Sequence, residues 1–464
     1  MKSVSGKIKW IFAIGQLGWS ILSGIITNLL VNFYLPDSTG GGIKTFVTTA
    51  TFLGFTVIGL ITACGRIVDA VTDPLIASAS DSCKSKLGRR IPFLRYAALP
   101  FAVVTVLLFC VPVDGESVWN IVWLSVMLVL FYIFMTAYCT PFNALIPVLG
   151  REQKDRMDIS TYISITFIIG TGIAFSGKML WEGLQGATGW EYYFCARLVL
   201  TVLALIALVC MLLPAFLIRE RDYDDSEPVK TSAFQSLGKT FQNRHFRVFV
   251  LSDIIYWIGI TIFNTGFIYY VENLLKLDMY MVLFIFMTFV TFACYIPVNI
   301  LSRKFGKKNL LFVGFLLFGF AFLVSAFAGM VTFIPNLIYG FIICVLVGVP
   351  MAILGVIPQA IVADIAEESA ITTGENRDGM FFAARTFAFK MGQSVAMILF
   401  TSLAVIGQHK VGDTITNDGA GYRISLIVAL VLCVIAAVVI WFYDEKDVMG
   451  KISGAHREKE GIRE

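Results

Sequence analysis

Long apolar runs alternate with short polar loops along the whole 464-residue chain. A helix rises about 1.5 Å per residue, so a run of about 20 apolar residues crosses the hydrocarbon of a bilayer. Twelve runs meet that length, at about residues 10–35, 44–77, 92–112, 118–140, 159–181, 193–218, 247–271, 279–302, 309–329, 333–362, 379–407 and 422–443. The pattern predicts an all-α integral membrane protein of twelve transmembrane helices. The first run is too long for the apolar core of a cleavable leader and no small-residue cleavage pattern follows it, so it is expected to be a membrane helix.

Composition agrees: 57% of residues are hydrophobic and 15% charged, and the mean hydropathy is +0.80. Basic residues collect in alternate loops. Lys2, Lys7 and Lys9 precede the first run; Lys84, Lys86, Arg89, Arg90 and Arg95 follow the second; Arg151, Lys154 and Arg156 follow the fourth. The second half continues with Arg219, Arg221, Lys230, Lys239, Arg244 and Arg247, then Arg303, Lys304, Lys307 and Lys308, then the charged tail. Short basic loops stay in the cytoplasm, which predicts both termini there, in a plasma or inner membrane. The net charge of +4 is explained by this bias and gives no reason to expect nucleic acid as a partner.

The chain also repeats weakly. KSKLGRRIPFL after the second run and SRKFGKKNLLF after the eighth share a glycine followed by two basic residues, six runs apart. Two homologous six-helix halves fit this spacing, the major facilitator arrangement. The polar stretch from Arg219 marks the connection, giving an N-terminal half at 1–218, a cytoplasmic linker at 219–245, a C-terminal half at 246–443 and a cytoplasmic tail at 444–464.

Chemistry concentrates at Asp69 and Asp73, two carboxylates four apart and therefore on one helical face inside an apolar run. Two like charges in hydrocarbon require a proton, a metal cation or a basic partner. Cation coupling is one reading; a packing salt bridge to Arg66 or Lys390 is the other. The nine cysteines are scattered without metal-ligand spacing and read as free thiols. GIAFSGKM at 172–179 approaches a P-loop, but Met179 stands where Ser or Thr is needed and no strand precedes it. The three histidines lie far apart, and no nucleophile elbow or metalloprotease motif occurs. An intramembrane enzyme or a sensor is the alternative of a different class.

RIVDAVTDP, the basic stretch DSCKSKLGRRIPF and DIAEESAITTGENRDGMFFAARTFAFKMGQ resemble, in order, the second-helix signature, the following loop and the tenth-to-eleventh connection of the glycoside–pentoside–hexuronide:cation symporters, which include the melibiose permeases. The resemblance covers nearly the whole chain. It implies the major facilitator fold and import of a glycoside, uronide or related sugar together with Na⁺ or H⁺, with no prosthetic cofactor and the monomer as working unit. It further implies cation binding or coupling by Asp69, Asp73, Thr136 and Lys390, with Na⁺ or a proton at the two aspartates. Thr386 lies one turn before Lys390.

The resemblance weakens where sugar is held. Ser20, preceded by Trp19, stands in place of the melibiose permeases' first-helix aspartate; Cys139 replaces a fourth-helix aspartate and Asn143 a tryptophan; Tyr162 or Ile163 stands where a fifth-helix arginine is expected. α-Galactosides are therefore expected to bind poorly. Candidate substrate contacts are Ser20, Asn28, Tyr138, Cys139, Asn143, Tyr162, Thr386 and Gln393, each of which can equally serve helix packing. Asp81, Arg89, Arg90, Arg303, Asp364, Glu367 and Arg377 form a candidate cytoplasmic gate of inter-loop ion pairs, or simply set topology. The competing transport reading is an uncoupled facilitator or an exporter of a small polar solute.

Overall fold

The computed structural model describes residues 4–36, 43–48, 51–52, 55–150, 153–223, 238, 240–373, 378–411 and 414–461. The chain divides into two compact units, residues 1–232 with 408–416, and residues 233–407 with 417–464. The first unit contains α1 (Gly6–Tyr34), α2 (Val57–Asp81), α3 (Ile91–Leu108), α4 (Val118–Ala144), the single turn α5 (Ile146–Leu149), α6 (Gln153–Phe175), α7 (Gly177–Thr188) and α8 (Tyr192–Leu217). The second contains α9 (Arg244–Tyr269), prolonged by a π-helical turn at Tyr270–Leu274, then α10 (Tyr280–Phe305), α11 (Lys307–Ala326), α12 (Asn336–Thr373), α13 (Asp378–Ala404), α14 (Ala420–Trp441) and the polar α15 (Glu445–Gly461). Two hairpins, Thr51–Phe52 with Phe55–Thr56 and Gln408–Val411 with Thr414–Asn417, are the strands among the described residues.

Eleven helices among the described residues are long and apolar enough to cross a membrane, with α6 and α7 contributing to one span, Thr161–Thr188. The twelfth expected span is α2, which has 25 residues. Its length suffices; the charges of Arg66, Asp69 and Asp73 in its middle set it apart. The outward faces are apolar too. On α10 the exposed side chains Ile285, Phe289, Phe292, Ile296 and Ile300 recur every three or four residues, a stripe that water would penalise and lipid accepts.

Packing within each unit follows one plan. In the first, α1 packs on α6 and α8, α2 on α4, and α3 on α4 and α8. In the second, α9 packs on α13 and α14, α10 on α12, and α11 on α12 and α14. The pairings correspond one to one, which gives the faint GRR/GKK repeat a structural meaning. The repeat is also the seat of a shared device. Glu220, just past α8, accepts the backbone N–H groups of Arg90 (2.7 Å) and Ile91 (3.2 Å) at the start of α3. Glu445, just past α14, accepts those of Lys307 (2.8 Å) and Lys308 (2.9 Å) at the start of α11. A carboxylate at a helix N-terminus meets unpaired N–H donors and the positive end of the macrodipole, so each glutamate clasps the last long helix of its unit to the third. The preceding glycines, Gly88 (φ 114°) and Gly306 (φ 83°), turn the chain through the left-handed region; a Cβ on Gly88 would lie 2.3 Å from the Glu220 carboxylate.

Candidate functional site

The intramembrane carboxylates of the first unit lie at the α2–α4 contact. Thr56 caps α2 by accepting the Gly59 N–H, and α2 then carries Asp69 and Asp73 one turn apart. Asp69 is fully buried. Thr136 on α4 donates its hydroxyl to Asp69 Oδ1 at 2.8 Å, and Thr140, one turn on, donates to Asp73 Oδ1 at 2.9 Å. Both partners advance by four residues, so these two helices run side by side in the same direction and make two rungs. Thr72 adds a contact to Thr136 Oγ1 at 3.3 Å.

A third correspondence follows: Pro74 lies inside α2 and Pro141 inside α4, each directly after the second rung. Proline lacks an N–H, so the carbonyls four residues earlier, of Ala70 and Ala137, lose their helical donors at the level of the rungs. Two carboxylates and two hydroxyls, all oxygen, meet across the α2–α4 contact. That is a donor set for a hard cation or a proton, since carboxylates and neutral oxygens are what hard cations prefer.

Arg66, one turn before Asp69, is mostly buried at 13% side-chain exposure. Its Nη1 stands 4.0 Å from Asp69 Oδ2, Nη2 reaches Thr27 Oγ1 on α1 at 3.4 Å, and its guanidinium carbon lies 5.2 Å from the Tyr132 ring centroid.

The expected substrate contacts are less assembled. The Ser20 hydroxyl donates to the Gln16 carbonyl of its own helix at 2.7 Å, and Asn28 donates to Gly24 O at 2.9 Å. Tyr138 is buried and donates to the Met211 carbonyl on α8 at 2.9 Å. Tyr162 stacks on Trp10 with centroids 4.4 Å apart. Cys139 is half-buried and Asn143 exposed on α4. In the second unit, Thr386, Lys390 and Gln393 are half-buried on α13 with the spacing of a single helical face. The Thr386 hydroxyl donates to Phe382 O.

Beside that face, Arg385 donates to both carboxylate oxygens of Asp253 on α9, Nε to Oδ2 at 2.8 Å and Nη2 to Oδ1 at 3.0 Å, with both side chains buried. Neither residue drew notice in the sequence, although charges in the seventh and eleventh runs were there to be read. Thr140 was likewise missed; its four-residue offset from Thr136, matching Asp69 and Asp73, was the available signal.

At the basic-loop ends, Arg90 lies 3.6 Å from Glu220 within the first unit, and Lys307 pairs with Asp364 at 2.5 Å within the second. Arg89 is half-buried and Glu367 exposed. Arg377 and the side chains of Asp81 and Arg303 lie outside the described residues. Glu368, which the sequence groups with Asp364 and Glu367 at that helix end, is buried and accepts from Asn243 at 3.2 Å and from Lys451 of α15 at 3.0 Å.

A family model described as MFS/sugar transport protein matches residues 11–444. The sodium-dependent lysophosphatidylcholine symporter 1 of Xenopus tropicalis is 22% identical over 425 residues, covering 82% of this chain and 77% of that protein. The glucuronide carrier protein homolog of Escherichia coli strain K12 is 22% identical over 452 residues, covering 93% and 94%. Among solved structures, a D-xylose-proton symporter superposes with a TM-score of 0.66 at 14% identity, covering 94% of this chain and 97% of that one. At that identity the likeness speaks for the fold, the twelve-helix major facilitator architecture.

Proposed function

The chain belongs to the MFS/sugar transport protein family, and on that premise we propose that it imports a glycoside, uronide or related sugar together with Na⁺ or H⁺ by alternating access. The resemblance to glycoside–pentoside–hexuronide:cation symporters stands with the relatives, and the chain is a transporter, not an enzyme. The observation that carries the coupled reading is the pair of rungs, Asp69–Thr136 and Asp73–Thr140.

The physical logic is charge balance. Two carboxylates in a low-dielectric span are stable when a cation or proton shares them, so loading and unloading that ion changes which conformation is preferred. A ligand that binds the loaded form better must, by linkage, draw the ion in with it. Lys390 supplies a positive charge to the same cycle from α13, with Thr386 and Gln393 on its face as substrate contacts. The membrane is the plasma or inner membrane, both termini are cytoplasmic, the basic-loop ends with Arg90, Asp364 and their neighbours form the cytoplasmic gate, and the monomer is the working unit. The lysophosphatidylcholine relative makes a lysolipid the second cargo to try.

The test is uptake into proteoliposomes of labelled neutral sugars, sugar acids and a lysolipid, with a Na⁺ gradient, a proton gradient or neither. Accumulation above equilibrium under one gradient supports symport. Uptake that only equilibrates under every gradient identifies an uncoupled facilitator instead.

A further inference from the structure

The guanidinium of Arg66 is the group the coupling chemistry leaves least employed. Its described contacts are a long hydrogen bond to Thr27 at 3.4 Å, an approach to Asp69 at 4.0 Å and the Tyr132 ring face. The 4.0 Å separation is beyond a hydrogen bond, and the buried Nε has no hydrogen-bond partner. The same chain shows what a structurally satisfied buried arginine looks like: Arg385 holds Asp253 through two bonds of 2.8 and 3.0 Å. A buried donor left unpaired costs free energy, and a planar fork of donors matches an oxyanion that accepts two bonds at once.

We propose that Arg66 is the recognition site for an anionic oxygen pair on the transported substrate, a carboxylate as in a sugar acid or a phosphate as in a lysophospholipid. This deepens the symport reading and rests on it. Tyr132 supports one face of the guanidinium and leaves its donor edges to the ligand. The position beside Asp69 also supplies a coupling device. Without a cation, Asp69 is the anion nearest Arg66 among its described contacts. A cation held at Asp69 and Asp73 takes over that carboxylate's charge, so Arg66 turns its full field on the substrate anion. By reciprocity, the substrate anion raises cation affinity. The neutral glycosides that the lost family contacts would have served gain nothing from this arrangement.

The experiment uses the purified full chain and three probes: methyl β-glucuronide, its uncharged partner methyl β-glucoside, and lysophosphatidylcholine. Binding and gradient-driven uptake are measured for wild type, Arg66→Gln and Arg66→Lys. Wild type is expected to prefer at least one of the probes that carry an anionic group, the glucuronide or the zwitterionic lysophosphatidylcholine, to the glucoside by about tenfold or more, as for a site built to hydrogen-bond a particular group. Which anionic probe wins tells carboxylate from phosphate. Arg66→Gln is expected to lose that preference while still binding Na⁺, which also reports that it is folded; Arg66→Lys, which keeps the charge but not the fork, falls between. The Na⁺ concentration for half-saturation should drop when the anionic probe is present, in wild type only. Equal or better binding of the glucoside by wild type, or an undiminished acid preference in Arg66→Gln, would overturn the assignment and leave symport standing. Absence of gradient-driven uptake for all three probes would overturn symport and this inference together.

Discussion

Arg385 and Asp253 face each other across the α13–α9 contact with both carboxylate oxygens engaged and both side chains buried. The pair fixes the rotation of α13 about its own axis, because a bidentate bond tolerates little turning. On the same helix, one residue past Arg385, begins the face of Thr386, Lys390 and Gln393. Removing one partner strands a charge in a dry interior, at a cost of about 3–5 kcal/mol. Arg385→Ala and Asp253→Ala should each lower the thermal midpoint of the purified protein markedly, and the double variant should be less destabilised than the sum of the two. Strict additivity in that cycle would show that the contact carries no coupling energy.

For the α2–α4 rungs, Asp73→Asn or Asp69→Asn should abolish accumulation against a gradient while insertion is retained, because an amide cannot carry the charge that a cation balances. Thr140→Val and Thr136→Val remove only a neutral oxygen beside each carboxylate. They should raise the cation concentration for half-maximal uptake by roughly 10–100-fold, the usual range for groups that orient metal ligands, and leave some accumulation. Unchanged cation dependence in both threonine variants would remove them from the site.

The two glutamate clasps make a paired prediction. Glu220→Ala leaves the Arg90 and Ile91 N–H groups without their acceptor, and Glu445→Ala does the same for Lys307 and Lys308. Each should cost about 1–2 kcal/mol, the scale of a lost helix cap. Gly88→Ala should be worse than either, since it combines the φ of 114° with a Cβ 2.3 Å from the Glu220 carboxylate. Thermal midpoints of the three variants decide the ranking.

Much of this was legible in the chain. The apolar runs located the twelve long helices among the described residues because span length is imposed by the bilayer, and Asp69 and Asp73 declared themselves as charges inside one run. The glycine with two basic residues announced the repeat but not its purpose, since Glu220 and Glu445 act on backbone groups more than 100 residues away, a contact no local pattern encodes. Thr140 and the Asp253–Arg385 pair hid for the opposite reason: their residue types were visible, but only folding reveals that α4 runs alongside α2 and that α13 meets α9. Ser20, Asn28 and Tyr138 were visible as polar positions inside apolar runs, but the backbone carbonyl to which each donates was not.

The C-terminal helix offers a pH test. Lys451 of α15 pairs with Asp447 at 2.7 Å and with Glu368 at 3.0 Å. The hydrogen bond to Lys451 is the main cause holding the Asp447 carboxyl below its ordinary value, and the bonds to Asp447 and Glu368 push the Lys451 ammonium above its own. A depressed carboxyl contributes stability that is present above its unfolded value, about 3.9, and lost as pH falls through the lower folded value. A raised lysine contributes stability that is present below about 10.4 and lost as pH rises through the higher folded value. These two groups therefore predict α15 docking that is constant between about pH 5 and 9. Hydrogen exchange over 445–455 should be slow across that window once corrected for intrinsic rates, and faster in Lys451→Ala; protection that changes steeply near neutrality would mean that other groups govern the docking.

The last prediction concerns sugar selectivity and the first unit. On the resemblance to the melibiose permeases, Ser20, Cys139 and Asn143 stand where galactoside contacts are expected, and the Ser20 hydroxyl donates to Gln16 O and accepts from Gln16 Nε2 at 3.0 Å. Neighbouring sugar hydroxyls are held tightly by charged acceptors, whose hydrogen bonds are about twice as strong as neutral ones. With no carboxylate at these positions, melibiose should bind weakly, and added Na⁺ should not tighten it. Ser20→Asp should not restore it either, because the new carboxylate would enter the α1–α6 contact, where a Cβ built on Gly170 already lies 2.7 Å from Ser20 Cβ. Melibiose titration of the purified protein with and without Na⁺ checks both statements, and tight Na⁺-enhanced binding by wild type would refute the first.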